Sequence, residues 1–486
     1  MVWGIIFVVA ILLIIAWWAT TSARLEITEH TVDVLPERLK APVRFLFLSD
    51  FHFGFGRSAA VRRRKLQQIV AHARRHPVQA ILLGGDYLDR GPAYISQFQE
   101  AVTALQRLDV PLVAVLGNHD HDAYESGNLQ DLLGSLKKWG VTVLSNESTV
   151  IKAGDQELMI VGLNDLEQSS HYRPRPGYLP FAEYKKQAQG LDWYQAFDAD
   201  RPELPRVLLA HNPDAAYLPG NRRPELVMAG HTHGGQFIFL TWLSHRFLER
   251  IPRFIAQSSF ATWAGKRLIN GTTLITGRGF DGTAVPFNLM RSPEAVFVTL
   301  RPAHLPQNLL IGLSGKPRSG KDTMAAMLDT LWPGINRAAF GNAIKDEYDA
   351  IHGTNTRYDE QDKLKHRPGL QTLGNKRRDE DPDYWIKKTL VHPFPLMITD
   401  VRTLREAELI HERHGFLIRI VANTQTLKER MGEYFNDLNH ENERFLDDYE
   451  NWHFVIRNDG TLLDLEIKVR ELCAEIEERL AKEQGA

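Results

Sequence analysis

Five times between residues 44 and 234, a short apolar run ends in a cluster of carboxylate, amide or imidazole side chains. Short apolar runs that alternate with stretches of helical apolar spacing, such as residues 60–76 and 97–108, are typical of an α/β protein. Such a fold carries its functional residues in the loops at strand ends, so the clusters indicate where function should lie. The predicted core strands are residues 44–48, 80–83, 112–116, 207–209 and 226–228.

The length of the chain, 486 residues, exceeds what one hydrophobic core usually serves, which predicts two folded domains. Residues 301–308 (RPAHLPQN) form a short, Pro-containing and mostly non-periodic stretch, as expected of a domain linker. Residues 309–314 then begin a new buried strand, and residues 462–482 form a charged amphipathic helix. We therefore predict one domain over residues 40–302 and a second over residues 309–486.

The charges of the chain nearly cancel, since 58 Lys and Arg residues stand against 60 Asp and Glu residues. This balance gives no overall attraction to nucleic acid, and duplex nucleic acid is not expected as a partner. Cys473 is the single cysteine, which excludes an internal disulfide and fits a reducing compartment.

Residues 2–18 (VWGIIFVVAILLIIAWW) form an uncharged apolar run just long enough to cross a bilayer as a helix. A cleaved signal peptide is the alternative, because residues 21–23 are small, but the basic segment that starts such peptides is missing. Basic residues follow the run and none precedes it, which by the positive-inside rule places the rest of the chain in the cytoplasm. We expect a single-pass anchor over residues 1–23 in the inner, cytoplasmic membrane, with both catalytic domains in the cytoplasm.

The clusters at the strand ends contain the donors of a metal centre. Carboxylates buried together would repel one another, and buried imidazoles would lack partners, unless a cation joined them. Carboxylate, amide and imidazole donors suit Mn, Fe or Zn, and the absence of cysteine donors argues against a structural zinc site. The clusters are Asp50-Phe51-His52, Gly84-Gly85-Asp86, Gly117-Asn118-His119-Asp120, His211 and Gly230-His231-Thr232-His233-Gly234.

Two metal ions in such a centre need a shared anionic ligand, for which Asp86 is the best candidate. Together they would lower the pKa of a bridging water and so provide hydroxide for attack on phosphorus. His119, oriented by Asp120, fits the role of proton donor to the leaving oxygen.

About residues 44–302 resemble the calcineurin-like metallophosphoesterase family. They contain, in the order found in that family, the motifs DxH, GD, GNHD, a later His and GHTH. The resemblance implies a β-sandwich flanked by helices that hydrolyses a phosphoester or pyrophosphate bond. It also implies two divalent metal ions, with Mn expected and Fe or Zn as alternatives. One ion would be held by Asp50, His52, Asp86 and His233, and the other by Asp86, Asn118, His211 and His231.

The N-terminal anchor and the form GHTHGGQ resemble a membrane-associated bacterial subgroup of that family. This implies a phosphorylated small-molecule or lipid substrate, since the subgroup includes enzymes that hydrolyse UDP-2,3-diacylglucosamine in lipid A synthesis. The aromatic and basic residues 242–255 fit a segment that rests on an anionic membrane and receives an acyl chain. An ordinary packed helix or hairpin fits the same pattern equally well.

In the second predicted domain, a strand over residues 309–314, a glycine-rich loop and a helical run over residues 324–331 follow one another. That order is what a phosphate cradle requires, because backbone N–H groups of the loop and the helix N-terminus point at the phosphates. Asp322 stands where Ser or Thr commonly holds magnesium. The candidate nucleotide-binding residues of the loop are Gly315, Arg318, Ser319, Gly320, Lys321, Asp322 and Thr323.

The GKDT ending of this loop, with later motifs such as residues 398–402 (ITDVR), resembles phage-type deoxynucleoside monophosphate kinases over nearly all of residues 309–478. The resemblance implies a three-layer α/β domain with a parallel sheet that transfers the γ-phosphate of ATP, with Mg, to a nucleoside monophosphate. Asp400 would lie near the Mg ion, and Arg402 would contact the acceptor phosphate. Two alternatives remain: a non-catalytic nucleotide sensor that regulates a general phosphodiesterase or phosphatase, and a membrane scaffold with degenerate sites.

Overall fold

The chain divides into two compact units in the computed structural model, Met1–Pro302 and Ala303–Ala486. The structure describes residues 24–54, 58–89, 92–122, 129–165, 201, 203–217, 224–234, 264–269, 272–281, 292–303, 305–306, 308–432 and 445–484. The predicted anchor over residues 1–23 and the aromatic, basic segment over residues 242–255 lie outside these ranges. Within the ranges, no helix is both long enough and apolar enough to cross a membrane.

The first unit is built on two mixed sheets. Its strands are β1 (Glu26–Val34), β2 (Val43–Leu48), β3 (Ala80–Leu83), β4 (Leu112–Ala114), β5 (Val141–Val143), β6 (Glu147–Ala153), β7 (Gln156–Gly162), β8 (Arg206–Leu209), β9 (Leu226–Ala229), β10 (Gly265–Ile269), β11 (Thr272–Thr276) and β12 (Glu294–Pro302). Over the described residues they form two six-stranded sheets, in the orders β1-β12-β2-β3-β4-β5 and β10-β11-β9-β8-β7-β6. Strands β2 to β5 run parallel, as do β7, β8, β9 and β11. The α/β class predicted from the sequence is confirmed.

Side chains of β2 alternate between two cores, which explains why this strand is an almost uninterrupted apolar run. Phe45 and Phe47 join a core to which the second sheet also contributes, whereas Leu46 and Leu48 join a core shared with helices. Successive side chains of a strand point to opposite faces, so both faces of the first sheet are covered. Full burial of each such side chain stabilises the fold by roughly 1.5–3 kcal/mol.

Helices of the first unit follow the strands that deliver the polar clusters. They are α1 (Ala59–Arg75), α2 (Ile95–Gln106), α3 (Asn118–Asp122) and α4 (Leu129–Lys138), with short 3-10 helices over Pro92–Tyr94 and Pro213–Tyr217. Ser58 caps α1 by accepting from the Val61 N–H. Strand β12 pairs in parallel with β1 and antiparallel with β2, and its last residues extend into the predicted linker, where Arg301 pairs with Asp33 at 2.6 Å.

Over the described residues, the second unit has one parallel sheet. Its strands are β13 (Leu310–Ser314), β14 (Asn336–Ala338), β15 (Leu396–Ile398), β16 (Phe416–Val421) and β17 (Phe454–Arg457), in the order β14-β15-β13-β16-β17. Its helices are α5 (Lys321–Leu331), α6 (Phe340–His352), α7 (Glu360–Glu380), α8 (Tyr384–Thr389), α9 (Leu404–Glu412), α10 (Thr424–Met431) and α11 (Leu462–Gln484). Strand β13 is central and fully buried, so the loop that follows it opens at the middle of the sheet edge.

Candidate functional sites

The parallel strands of both sheets bring the polar clusters of the first unit together. Asp50 follows β2, Asp86 follows β3 and Asn118 follows β4, while His211 follows β8 and His231 follows β9. The carboxyl ends of parallel strands meet at one edge of a sheet, which is where α/β proteins bind ligands.

Three of the predicted ligands, Asp50, His52 and His233, converge at this edge. Nε2 of His233 lies 3.3 Å from Oδ1 of Asp50 and 3.1 Å from Nε2 of His52. All three side chains are buried, and their donor atoms lie within 4.8 Å of one another. Burial lowers the pKa of His233 to about 4, so this imidazole is neutral and offers a lone pair.

A second group, Asp50, Asp86 and His211, meets the same 4.8 Å distance and shares Asp50 with the first. Oδ2 of Asp86 lies 3.1 Å from Nε2 of His211 and 3.6 Å from Nε2 of His52, so Asp86 links its own group to the first. Nδ1 of His231 lies 3.2 Å from Nε2 of His211. Burial lowers the pKa of His211, but the Asp86 carboxylate outweighs it and holds that pKa well above its usual value. The Asp86 carboxylate therefore favours a positive charge at this position, which a proton or a metal ion can supply.

These residues fit a pair of divalent cations. Imidazole nitrogens that face each other at 3.1–3.2 Å, beside two buried carboxylates, are stabilised when a cation joins them. Oδ1 of Asn118, also predicted as a ligand, is buried and has no hydrogen-bond partner among the described residues. A buried amide oxygen without a partner is costly, and a metal ion would satisfy it.

Hydrogen bonds fix which nitrogen of two of the rings faces the site. Nδ1 of His211 donates to the carbonyl oxygen of Gly84 at 2.7 Å, and Nδ1 of His52 lies 3.0 Å from Oδ1 of Asp89. Both rings therefore present Nε2 to the centre. Partners of this kind set the tautomer and the orientation of ligating histidines.

The backbone of the centre is held in an uncommon conformation. Non-glycine residues with positive φ are rare, and such strain concentrates at functional sites. Gly85, at φ 90°, must be glycine, because a Cβ there would lie 2.6 Å from the Gly117 nitrogen and 2.8 Å from Nδ1 of His211. Five predicted ligands have positive φ: Asp50 (55°), His52 (46°), Asp86 (56°), His231 (69°) and His233 (48°).

The carboxylate beside His119 is Asp89, which the sequence analysis did not identify. Nδ1 of His119 lies 2.9 Å from Oδ1 of Asp89, and the His119 side chain is 39% exposed. Burial lowers the pKa of His119, but the hydrogen bond to Asp89 and the charges of Asp86 and Asp89 outweigh it and raise that pKa to about 9. His119 thus carries a proton at neutral pH. The signal for Asp89 was its place three residues after Asp86 in the same strand-end loop.

Asp120 has a different role from the predicted one of orienting His119. It is fully buried and accepts backbone N–H groups from Asp86 (2.8 Å), Tyr87 (2.7 Å), Leu88 (3.2 Å) and Gly117 (2.9 Å). Asp120 therefore joins the loop after β3 to the loop after β4. The assignment of Asp120 as the partner of His119 is corrected on this ground.

In the second unit, the glycine-rich loop runs from β13 into α5. Arg318 has φ 61° and Gly320 has φ 103°, and a Cβ at Gly315 would lie 2.6 Å from the carbonyl oxygen of Ile420. Ser319 is buried, and its carbonyl oxygen accepts from Nδ2 of Asn458 at 2.8 Å. Close backbone packing of this kind leaves no room for side chains at the loop glycines.

Two cavities of about 680 Å³ each adjoin this loop. Lys321, Asp322 and Arg402 line both. Asp400 lines only the second, and its carboxylate accepts the N–H groups of Phe340 and Gly341 at 2.7 and 2.8 Å, at the start of α6. The predicted residues that line the first cavity are Gly315, Arg318, Gly320, Lys321, Asp322, Thr323 and Arg402.

Known proteins resemble this chain. A family model described as Calcineurin-like phosphoesterase matches residues 43–235. Phosphodiesterase YaeI of Escherichia coli (strain K12) is 32% identical over 268 residues, which cover 54% of this chain and 83% of that relative. Uncharacterized protein YpbG of Bacillus subtilis (strain 168) is 24% identical over 298 residues, covering 61% and 95%. A protein of Danio rerio named Transmembrane protein with metallophosphoesterase domain is 29% identical over 221 residues, covering 44% and 46%.

Proposed function

The chain belongs to the calcineurin-like phosphoesterase family, and from this premise we propose that its first unit hydrolyses phosphodiester bonds with a pair of divalent metal ions. The observation that carries the proposal is the convergence of two donor groups, Asp50–His52–His233 and Asp50–Asp86–His211, on one buried site. Asn118 and His231 complete the donor set. The similarity to a relative named a phosphodiesterase supports a diester as the substrate class.

Different residues of the site carry out different parts of the reaction. Asp86, between Nε2 of His52 and Nε2 of His211, has the position of a shared ligand. Bound at these donors, two divalent ions, with Mn²⁺ expected, would polarise the phosphoryl oxygen and lower the pKa of a water. Asp89, beside Nδ1 of His119, stabilises the protonated form of this imidazole. The His119 side chain is partly exposed, so a bound substrate can reach it. His119 therefore donates that proton to the leaving oxygen.

A hydrolysis assay on the full chain tests this function. With Mn²⁺, we expect hydrolysis of bis-p-nitrophenyl phosphate that EDTA abolishes. Asp86→Asn should lower the rate by more than the roughly 100-fold that loss of an outer-shell partner can cost, because the shared ligand loses its charge. Asp155→Asn, at an exposed turn position, is the matched control and should keep the wild-type rate. A wild-type rate that does not depend on metal, or an Asp86→Asn variant with the wild-type rate, would contradict the proposal.

We further propose that an N-terminal anchor holds the chain at the inner membrane, with its catalytic units in the cytoplasm, and that the same centre hydrolyses the pyrophosphate bond of a lipid-linked substrate such as UDP-2,3-diacylglucosamine. The uncharged run over residues 2–18 supports the anchor, and so does a relative named as a transmembrane protein. Deletion of residues 1–23 should release the chain from the membrane fraction. Hydrolysis of UDP-2,3-diacylglucosamine no faster than that of the nitrophenyl diester would argue against the lipid-linked substrate.

For the second unit, we propose that the glycine-rich loop binds ATP with Mg²⁺ and that the unit transfers the γ-phosphate to a nucleoside monophosphate. The supporting observation is that two cavities of similar size share Lys321, Asp322 and Arg402. A donor in one cavity and an acceptor in the other would meet at two cations, which neutralise charge on the transferred phosphoryl group. Formation of ADP and a nucleoside diphosphate from ATP and each deoxynucleoside monophosphate tests this. Tight ATP binding without turnover would favour a regulatory sensor.

A further inference from the structure

A buried cluster of three charged side chains lies next to the metal centre without belonging to it. Arg62 and Lys65 come from α1, and Asp281 follows β11 more than 200 positions later. Nε of Arg62 donates to Oδ2 of Asp281 at 2.7 Å, and Nζ of Lys65 donates to Oδ1 at 3.3 Å. Arg62, Lys65 and Asp281 are only 5%, 1% and 1% exposed. Among the described residues, the cluster therefore sets two buried cations against one carboxylate.

Stability alone does not account for such a cluster. Removing charged groups from water is costly, and apolar residues of similar size often stabilise a fold as well or better. The cations also pack on aromatic rings: the Arg62 guanidinium lies 4.7 Å from the centre of the Phe53 ring and Nζ of Lys65 lies 5.2 Å from that of Phe280. Buried ionic groups can instead specify one local arrangement of the chain. We therefore ask which segment of the chain these three side chains hold in place.

That segment, residues 279–281, crosses the backbone of the metal ligand Asp50. The N–H of Asp281 donates to the carbonyl oxygen of Asp50 at 3.1 Å, and the N–H of Phe280 donates to that of Ser49 at 2.8 Å. Nζ of Lys65 also donates to the carbonyl oxygen of Phe280, at 3.1 Å. Both the side chain and the backbone of this segment are thus tied to α1.

The contact at Gly279 is equally close. Gly279 has φ 86°, and a Cβ there would lie 2.8 Å from Cβ of Asp50 and 3.2 Å from Nδ1 of His233. A small displacement of residues 279–281 would therefore shift two predicted ligands, Asp50 and His233. No space separates it from the centre.

Asp50 needs such support. Its φ of 55° is costly for a non-glycine residue and persists only when the surroundings over-determine it. In this conformation Oδ1 of Asp50 lies 3.3 Å from Nε2 of His233 and accepts the N–H of His231 at 3.0 Å. The left-handed backbone is thus what aims the carboxylate at the two histidines.

We propose that Arg62, Lys65 and Asp281 are positioning residues that hold residues 279–281 across Asp50 and so fix its carboxylate for metal binding. This inference rests on the proposed two-metal function. It assigns the basic run near the start of α1 a role in the site. Arg62 and Lys65 are buried there, while Arg63 is exposed and lies 3.5 Å from Glu100. The metal held by Asp50, His52 and His233 should depend on the cluster more than the metal held by Asn118, His211 and His231.

The test measures Mn²⁺ binding to the full chain by equilibrium dialysis, with kcat measured over a range of Mn²⁺ concentrations. The triple variant Arg62→Met, Lys65→Met, Asp281→Asn removes all three charges of the cluster together, so none of them loses its partner within the cluster. Lys65→Met alone leaves a neutral Arg62–Asp281 pair and serves as a second variant that should fold. Arg63→Met, on the exposed side of the same helix, is the matched control.

In both cluster variants, we expect the Kd of the Mn²⁺ ion at Asp50, His52 and His233 to rise about 10–100-fold. The Kd of the second ion should rise less, because Asp50 is only one of its neighbours beside Asp86 and His211. Excess Mn²⁺ should restore most of kcat, because the cluster contacts no reacting atom. Variants that keep both wild-type Kd values, or whose only change is a lower melting temperature, would overturn the inference. A wild-type chain that binds no Mn²⁺ would overturn the proposed function together with it.

Discussion

The metal centre of the first unit and the glycine-rich loop of the second are assembled in opposite ways. The centre collects buried and half-buried side chains from the ends of β2, β3, β4, β8 and β9, between Asp50 and His233. The loop is one continuous stretch between β13 and α5, and it offers mainly backbone N–H groups. The centre therefore depends on the whole fold of its unit. The loop depends on one strand, one helix and a few tight contacts.

The two regions also shift the pKa of a buried carboxyl group in opposite directions. Burial raises the pKa of Asp86, but His211 and the neighbouring histidines outweigh it and hold that pKa well below its usual value. In the second unit, burial and the charge of Asp400 raise the pKa of Glu406 to about 7. Asp86 is thus ready to bind cations, whereas Glu406 takes up a proton near neutrality.

On the metal-centre side of this comparison, the largest effect on kcat is expected from a substitution of His119. His119→Ala should lower kcat for a diester with a poor, alkyl leaving group about 10²–10⁴-fold, because general acid catalysis is lost. With a p-nitrophenyl leaving group, which needs little protonation, the loss should be much smaller. Steady-state rates on the two substrate types provide the measurement, and His392→Ala, at an exposed position, is the control. Equal losses on both substrates would mean that His119 does not act as the acid.

A smaller effect is expected at Glu406, whose side chain accepts the N–H groups of Arg402 and Thr403 at 2.8 and 3.0 Å. Between pH 4.5 and about 7, the unfolded chain loses the Glu406 proton while the folded chain keeps it. The free energy of unfolding of the second unit should therefore fall as pH rises through this window, by about 3 kcal/mol at most.

Glu406→Gln should remove that dependence, because the amide oxygen can still accept both N–H groups and cannot ionise. Urea unfolding followed by hydrogen exchange of amides in β13 and β16 reports on this unit in the full chain. The variant should match the wild type at pH 4.5 and exceed it in stability at pH 8. A wild-type curve that rises over the same window would contradict the raised pKa.

The smallest effect separates the two carboxylates near His119. Asp120→Asn keeps an acceptor but places an amide N–H₂ among four backbone N–H donors, which should cost about 1–3 kcal/mol of unfolding free energy. Asp89→Asn should change stability less and instead lower kcat, because the pKa of His119 loses its main support. Chemical denaturation and steady-state kinetics on both variants distinguish them. If Asp120→Asn lowered kcat at saturating Mn²⁺ without loss of stability, the original assignment of Asp120 would be favoured.

Local sequence patterns predict much of what is seen. Strands β2, β3, β8 and β9 were expected from short apolar runs, and the polar clusters after them do lie together. Helices α1 and α2 were expected from apolar residues at helical spacing. Each of these features depends on neighbours in the sequence, so a single chain carries the signal.

Features that depend on distant pairing could not be predicted in this way. The run Arg62 to Lys65 has the composition of a solvated basic surface, and only the fold places Asp281 against two of its members. Strand β12 extends into the predicted linker because β1 and β2 supply its partners on both sides. The choice of Asp89 over Asp120 as the partner of His119 depends on how two strand-end loops meet.

Anomalous diffraction from crystals of the full chain equilibrated with Mn²⁺ tests the central claim most directly. We predict two peaks about 3.5–4 Å apart in the first unit, with an oxygen of Asp86 within bonding distance of both. One peak should contact His233, and the other should contact His211. No peak at these side chains, or a single peak with Asp86 out of reach, would contradict the two-metal site.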